Sequence, residues 1–275
     1  MDDEILTIYC LCDDLLQAMG HQDHPKCMMS SAEVMTVAIV AALHFGGNFA
    51  KARLWLKSKQ WIPVMLGKSR YSRRLHRVGH YFITLFDIVA ETWKATNTKD
   101  QIYLVDTFPI PVCDNIRINR CRIYPSNIGN YRGYKASKRQ YFYGLKLHLL
   151  VTEHGEPVEF MLSAGGVGDV SGLYGFDFDL PAGAAVIGDA AYTVYWLEDV
   201  MEEADLHLWP VRKKNSKRPH EPWVCGLQNQ CRQQVETAGS MIERLLPNTI
   251  HATNSKGFEL KIVLFVLGSS IRLLK

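Results

Sequence analysis

Two long stretches of this 275-residue chain have no carboxylates. No Asp or Glu occurs between Glu33 and Asp87, and none between Asn115 and Thr152. The chain also lacks any run of eighteen or more apolar residues, so no segment is long enough to be read as a transmembrane helix. Its seven cysteines (Cys10, Cys12, Cys27, Cys113, Cys121, Cys225 and Cys231) are odd in number and show no CxxC spacing. That pattern points away from a disulfide framework and from a structural zinc site. The start Met1-Asp2-Asp3-Glu4 has the wrong charge for a signal peptide. The expectation is a soluble cytoplasmic protein with no membrane partner.

What fills the acid-free stretches is basic. The first holds Lys51, Arg53, Lys57, Lys59, Lys68, Arg70, Arg73, Arg74 and Arg77. The second holds Arg117, Arg120, Arg122, Arg132, Lys135, Lys138, Arg139 and Lys146, interleaved with Tyr124, Tyr131, Tyr134, Tyr141 and Tyr143. A third cluster is Arg212, Lys213, Lys214, Lys217 and Arg218. A single basic run is usually a solvated face. Stretches emptied of acids fit a polyphosphate partner, which penalises every carboxylate along its path.

Periodicity divides the chain. "SSAEVMTVAIVAALHF" opens with a Ser30-x-x-Glu33 capping box and places Val34, Val37, Ala38, Ala41 and Phe45 at helical spacing. Gly46-Gly47 ends it, and "NFAKARLWLKSK" and "SRYSRRLHRVGHYFITLFDIVAETWKA" continue as helices with basic faces. Residues 1–98 are therefore expected to form a helical, DNA-binding domain with room for a helix-turn-helix. After Lys99 the pattern changes to strands: "QIYLVDTFPIPV", then "YFYGLKLHLLV" and "PVEFMLSAG" joined by a hairpin at Gly155. A short helix near "VSGLYGF", the strand "AAVIGD", the helix "TVYWLEDVMEEADL", the strand "HLWPV" and a helix around "QCRQQVETAGSMIERLL" follow. Three strands, then alternating helices and strands, predict an α/β layer with a mixed sheet over residues 99–275.

Asp106 lies on the first strand and Asp189 ends the fourth. If those strands are neighbours, two carboxylates meet at one sheet edge, where their repulsion calls for a cation. A third acid from the last helix, Glu236, would complete a Mg²⁺ site of hard oxygen ligands. Glu243 competes with it, since seven residues is nearly two turns and only one of the pair can reach the aspartates. Glu236 is preferred because Arg232, one turn earlier, can orient it. Taken singly, each acid is more simply a cap, a turn former or an ion-pair partner.

With "VDTFPIP", "IGDAAY" and "RQQVE" in hand, the chain resembles the DDE-type transposases of bacterial insertion sequences, and "SRYSRRLHRV" resembles the leading domain of one branch of them. Many relatives carry Tyr-x-x-Arg-x-x-x-Glu followed by a lysine seven residues on; here Asn229 stands in the tyrosine place and Glu243 in the lysine place, with Arg244 adjacent. The resemblance implies a ribonuclease H-like catalytic domain with Asp106, Asp189 and Glu236 as catalytic and metal-binding residues. It implies Mg²⁺, or Mn²⁺, as cofactor, and cleavage at transposon ends followed by strand transfer by the freed 3′-OH. It further implies terminal inverted repeats and target DNA as partners, and a homodimer or larger assembly on that DNA in the prokaryotic nucleoid. Arg70, Arg73, Arg74, Arg132, Lys135, Lys138, Arg139, Arg232 and Arg244 are the expected DNA contacts.

Two rivals remain. "GGVGDVSG" at Gly165–Gly172 follows a strand and has Asp189 some twenty residues on, but it misses the dinucleotide fingerprint by one residue. A catalytically silent DNA-binding protein, a decayed transposase or repressor on the same scaffold, is the other; the intact acidic triad argues against decay.

Overall fold

A computed structural model describes residues 1–97, 101–135, 139–231, 246–247 and 249–274. The chain forms two compact units, Met1–Val89 with Ile242–Lys275, and Ala90–Met241. The first cut falls near the one expected at residue 98, but the chain's last segment returns to the helical unit instead of continuing the sheet domain.

The helical unit is built around α2 (Ser31–Phe45), of which twelve residues are buried. Its start is the anticipated capping box: Ser30 Oγ accepts from the Glu33 N–H at 3.0 Å, and Glu33 Oε2 accepts from the Ser30 N–H at 2.6 Å. Gly46 closes it in the left-handed region at φ 55°. Around it pack α1 (Asp2–Ala18), α3 (Phe49–Ser58), α4 (Lys68–Arg77) and α9 (Ser255–Leu273). From Ile262 to Ile271 every residue of α9 is buried. A helix apolar all round needs cover on every side, and Gly268 lets Leu43 of α2 come close: a methyl group there would stand 3.3 Å from the Leu43 side chain. The chain turns through 106° between α2 and α3 over three residues, the angle and glycine-containing turn of a helix-turn-helix. No single described helix is long and apolar enough to cross a membrane. Next along the chain, α5 (Tyr81–Thr96) leads into the sheet unit.

The sheet unit carries β1 (Ile102–Cys113), β2 (Arg132–Lys135), β3 (Gln140–Thr152), β4 (Pro157–Ala164), β5 (Ala185–Gly188) and β6 (His207–Pro210). The strand order is β2-β3-β1-β5-β6, with β4 also on β3. β2 takes the Gln140–Tyr143 end of β3, and β4 takes the same edge from Leu145 onward. Leaving aside β2, three antiparallel strands followed by two parallel to the first give the ribonuclease H-like mixed sheet. Helices α6 (Asp169–Leu173), α7 (Tyr195–Glu203) and α8 (residues 222–231) accompany it. The β3–β4 turn is built on Gly155 at φ 93°, as its sequence implied.

β1 is the central strand, and β5 stays beside it only as far as Leu104↔Ile187. Beyond that point one edge of β1 has no described partner strand, and there the sequence places Pro109 and Pro111, which lack an N–H to donate. β5 ends at Gly188 while β1 runs on to Cys113, and the open edge of β1 beyond that end is the cleft at which the candidate site lies.

Candidate metal centre and nucleic-acid surface

Asp106 and Asp189 each stand two residues past the last paired residues, Leu104 and Ile187, of adjacent parallel strands. Adjacent strands lie about 4.8 Å apart, and residues two apart share a face. The backbone at Asp189 is still extended (φ −71°, ψ 177°), so both carboxylates emerge side by side at the mouth of the cleft. Asp106 is half-buried and Asp189 exposed. Each uses one oxygen locally: Asp106 Oδ1 accepts from the Thr107 N–H at 2.7 Å, and Asp189 Oδ1 accepts from the Ala191 N–H at 2.7 Å, capping a short 3-10 turn. Among the described residues the second oxygen of each makes no hydrogen bond, leaving a pair of hard oxygen donors at the cleft.

Electrostatics favour a cation there. Burial, with the neighbouring charges of Asp189 and Asp169 added, outweighs the Thr107 N–H and Lys135 and pushes the Asp106 carboxyl up to about 6. A divalent ion would relieve that repulsion, and oxygen ligands suit Mg²⁺ or Mn²⁺. Among the described residues no three His, Cys, Asp or Glu side chains converge on a single ion position. Glu236 and its rival Glu243, together with Arg232, Arg244 and Lys138, lie outside the described residues.

A partly buried polar chain braces the pair from behind. The hydroxyls of Tyr192 and Thr107 are hydrogen bonded at 2.7 Å, Thr107 Oγ1 meets His148 Nδ1 at 3.0 Å, and His148 Nε2 meets Ser163 Oγ at 2.8 Å. Burial, opposed by Asp169 and reinforced by Lys146, lowers the His148 pKa to about 4, so the ring is neutral with one donor and one acceptor. Nearby, Lys146 donates to Asp169 Oδ1 at 2.7 Å and to the Val167 carbonyl at 2.8 Å. Asp169 was not among the sequence candidates, and its proximity to Asp106 depends on a contact twenty-three residues away in the chain.

The glycine-rich stretch has a packing explanation. A methyl group at Gly166 would stand 2.2 Å from Asn130 Oδ1, and one at Gly172 2.1 Å from His148 Nδ1. The preceding strands β3 and β4 are antiparallel, so the dinucleotide reading does not hold. Gly188 likewise admits the Tyr192 ring and Val105, which would stand 2.8 and 2.9 Å from an added methyl group.

The basic candidates sort into two kinds. Arg70 and Arg73 are exposed on α4, while Arg74 is engaged inside the helical unit: it donates to Asp23 Oδ1 at 2.6 Å, to Ser31 Oγ at 2.9 Å and to the Met29 carbonyl. Arg132 and Arg139 are exposed, and Lys135 is partly exposed on β2. In the third cluster, Arg212 is held by both oxygens of Glu198 at 2.8 and 2.5 Å, and Arg218 by both of Asp199 at 2.5 and 3.1 Å.

No curated protein matches the chain. Two solved structures are similar to it at low identity: a piggyBac transposase synaptic complex with hairpin DNA (12% identity, TM-score 0.47, 97% of this chain and 74% of that one) and a Mos1 transposase paired-end complex with the left transposon end (9% identity, TM-score 0.26, 82% and 80%). A family model described as the transposase DDE domain matches residues 96–245, more than half of the chain and the whole of the cleft described above. The chain therefore belongs to the transposase DDE domain family.

Proposed function

We propose that the chain cuts DNA at the ends of an insertion sequence and joins the freed 3′-OH ends to target DNA. Asp106 and Asp189 would hold divalent metal between them, with Glu236 as third ligand oriented by Arg232. The observation that carries this reading is the juxtaposition of Asp106 and Asp189 where β5 ends beside β1, within the family-matched segment. Bound metal would activate the attacking oxygen and stabilise the leaving one. The chain's own residues do the rest: the carboxylates would hold that ion at the cleft, the Tyr192–Thr107–His148 chain keeps their strands in register, and Arg132, Lys135, Lys138, Arg139 and Arg244 grip backbone phosphates. Arg70 and Arg73 contribute contacts from the helical unit, with Arg74 holding α4 in place. Holding two ends at once requires two or more copies on the DNA.

The test is incubation of the protein with DNA flanking its own gene and Mg²⁺ or Mn²⁺, followed by mapping of nicked ends. Asp106→Asn, Asp189→Asn and Glu236→Gln should each abolish cleavage and leave DNA binding intact, while Glu243→Gln does less harm. Cleavage at the wild-type rate by Asp106→Asn or Asp189→Asn overturns the mechanism, and by Glu236→Gln removes that residue from the site.

A further inference from the structure

We propose that the face of the β2–β3 hairpin bearing Tyr134 and Tyr141 is a stacking platform for an unpaired nucleobase of the DNA strand handled at the cleft. This rests on the reading of DNA as substrate and deepens it.

The structure separates the five tyrosines of the second acid-free stretch. Tyr124 and Tyr143 are buried, the Tyr143 hydroxyl donates to the Tyr124 carbonyl at 2.9 Å, and Tyr131 packs between them with ring centroids 4.5 and 6.1 Å away. Those three form the base of the hairpin. Tyr134 and Tyr141 are instead 48% and 54% exposed, although they sit directly opposite each other in the ladder with ring centroids 4.9 Å apart. Cross-strand aromatic pairs normally stabilise a hairpin by covering each other; this pair leaves half of each ring to solvent.

The surroundings specify the ligand. The Arg132 guanidinium lies 4.8 Å over the Tyr141 ring, on the same side of the ribbon. Asn115 donates to the Tyr141 carbonyl at 2.8 Å and so fixes that strand from outside. No carboxylate occurs from Asn115 to Thr152. Aromatic rings beside a guanidinium, in a stretch of chain without acids, combine base stacking with phosphate attraction, the pairing used by single-strand binding surfaces.

Placement specifies an unpaired base rather than a duplex. Lys135, next to Tyr134, is near enough to Asp106 for their charges to interact, so β2 borders the cleft. Asp106 stands opposite Leu149, and Tyr141 is eight residues from Leu149 along β3, so the carboxylate and the tyrosine pair share one face of the sheet. A ring can stack only on a base whose face is free, so the platform beside the cleft takes a nucleotide that has left its duplex.

The experiment uses the full chain and fluorescence anisotropy with three labelled DNAs of one sequence: matched duplex, duplex with three unpaired terminal nucleotides, and single strand, with 2-aminopurine at the unpaired position in a parallel set. Wild type should bind the frayed duplex on the order of tenfold tighter than the matched one, with quenched 2-aminopurine. Tyr134→Ala and Tyr141→Ala should lose that preference and the quenching while matched-duplex binding and melting temperature stay unchanged, and Tyr141→Trp should restore both. Wild-type binding of duplex without preference for frayed ends overturns the platform and leaves the substrate reading standing. So does retained quenching in both alanine variants. Tighter binding of an unstructured RNA of the same sequence overturns the choice of DNA. Absence of any DNA binding overturns the substrate reading and the platform together.

Discussion

The hydroxyls of Tyr192 and Thr107, eighty-five residues apart in the chain, are hydrogen bonded at 2.7 Å. Tyr192 closes the turn that begins at Asp189, and Thr107 follows Asp106 on β1, so this one bond ties the two carboxylate-bearing backbones together behind the cleft. The Tyr192 ring lies against Gly188 and Val105. The motif "GDAAY" thereby supplies an acid at the cleft, a glycine for clearance and a tyrosine as the tie.

Tyr192→Phe keeps the ring and removes the tie. It should cost about 1 kcal/mol of stability, the usual net value of a hydrogen bond, and weaken Mn²⁺ binding measured by calorimetry more than it weakens DNA binding. Gly188→Ala should cost about 1–3 kcal/mol by overpacking against Tyr192 and Val105. Unchanged Mn²⁺ affinity in Tyr192→Phe would show that the tie does not position the acids.

The Asp106 carboxyl makes metal-free stability depend on pH. Its folded pKa, about 6, lies above the unfolded value of about 3.9. The folded state then binds the proton more tightly, so the contribution of Asp106 to stability is most favourable below pH 4, falls as pH rises through 6, and stays reduced above it. Two pKa units set an upper bound of about 3 kcal/mol. In EDTA, Asp106→Asn should melt higher than wild type at pH 7.5 and no differently at pH 4. Added Mg²⁺ should raise the wild-type melting temperature at pH 7.5 and leave the variant's unchanged. Equal melting of the two proteins in EDTA at both pH values would contradict the repulsion inferred at the cleft.

The parts legible in the sequence were those set by local pattern. Ser30 and Glu33 sit three apart and cap α2 as read; Asp106 and Asp189 each follow a short apolar run, Asp106 within β1 and Asp189 one residue past β5. β2 was not legible, because Arg132-Gly133-Tyr134-Lys135 has a single buried residue, Gly133, and no apolar alternation. The partners of Arg74 and Lys146 were not legible either, since Asp23 and Asp169 are fifty-one and twenty-three residues distant and only the fold brings them close. Gly166 and Gly172 looked like a phosphate loop because a sequence shows a missing side chain but not what fills the space.

The return of α9 to the helical unit sets the limits of any fragment. A piece ending at residue 98 keeps α2 but leaves uncovered the side packed by Phe265 and the Gly268 turn. That fragment should be poorly helical and aggregate, and deleting residues 255–275 from the full chain should lower its first melting transition. Circular dichroism decides the matter. A soluble fragment of residues 1–98 with the helix content of α1 to α5 would show that α9 is dispensable to the helical unit.

The three arginines of α4 should separate cleanly into DNA contacts and a structural one. Arg70 and Arg73 are exposed, and among the described residues Arg73 bonds to the Ser69 carbonyl of its own helix, at 3.4 Å. Replacing either with alanine should leave melting within about 0.5 kcal/mol of wild type, as for most surface changes. If each contacts a phosphate, each loss should lower the slope of log K against log salt by about 0.9. Arg74→Ala strips Asp23 and the Met29 carbonyl of a charged donor in a partly buried pocket, which should destabilise the helical unit by about 1–3 kcal/mol. Salt-dependent anisotropy and thermal melts on all three variants give both numbers. If Arg74→Ala melts like wild type and reduces the salt slope as much as Arg70→Ala, then Arg74 faces DNA and the Asp23 pair does not hold α4 in place.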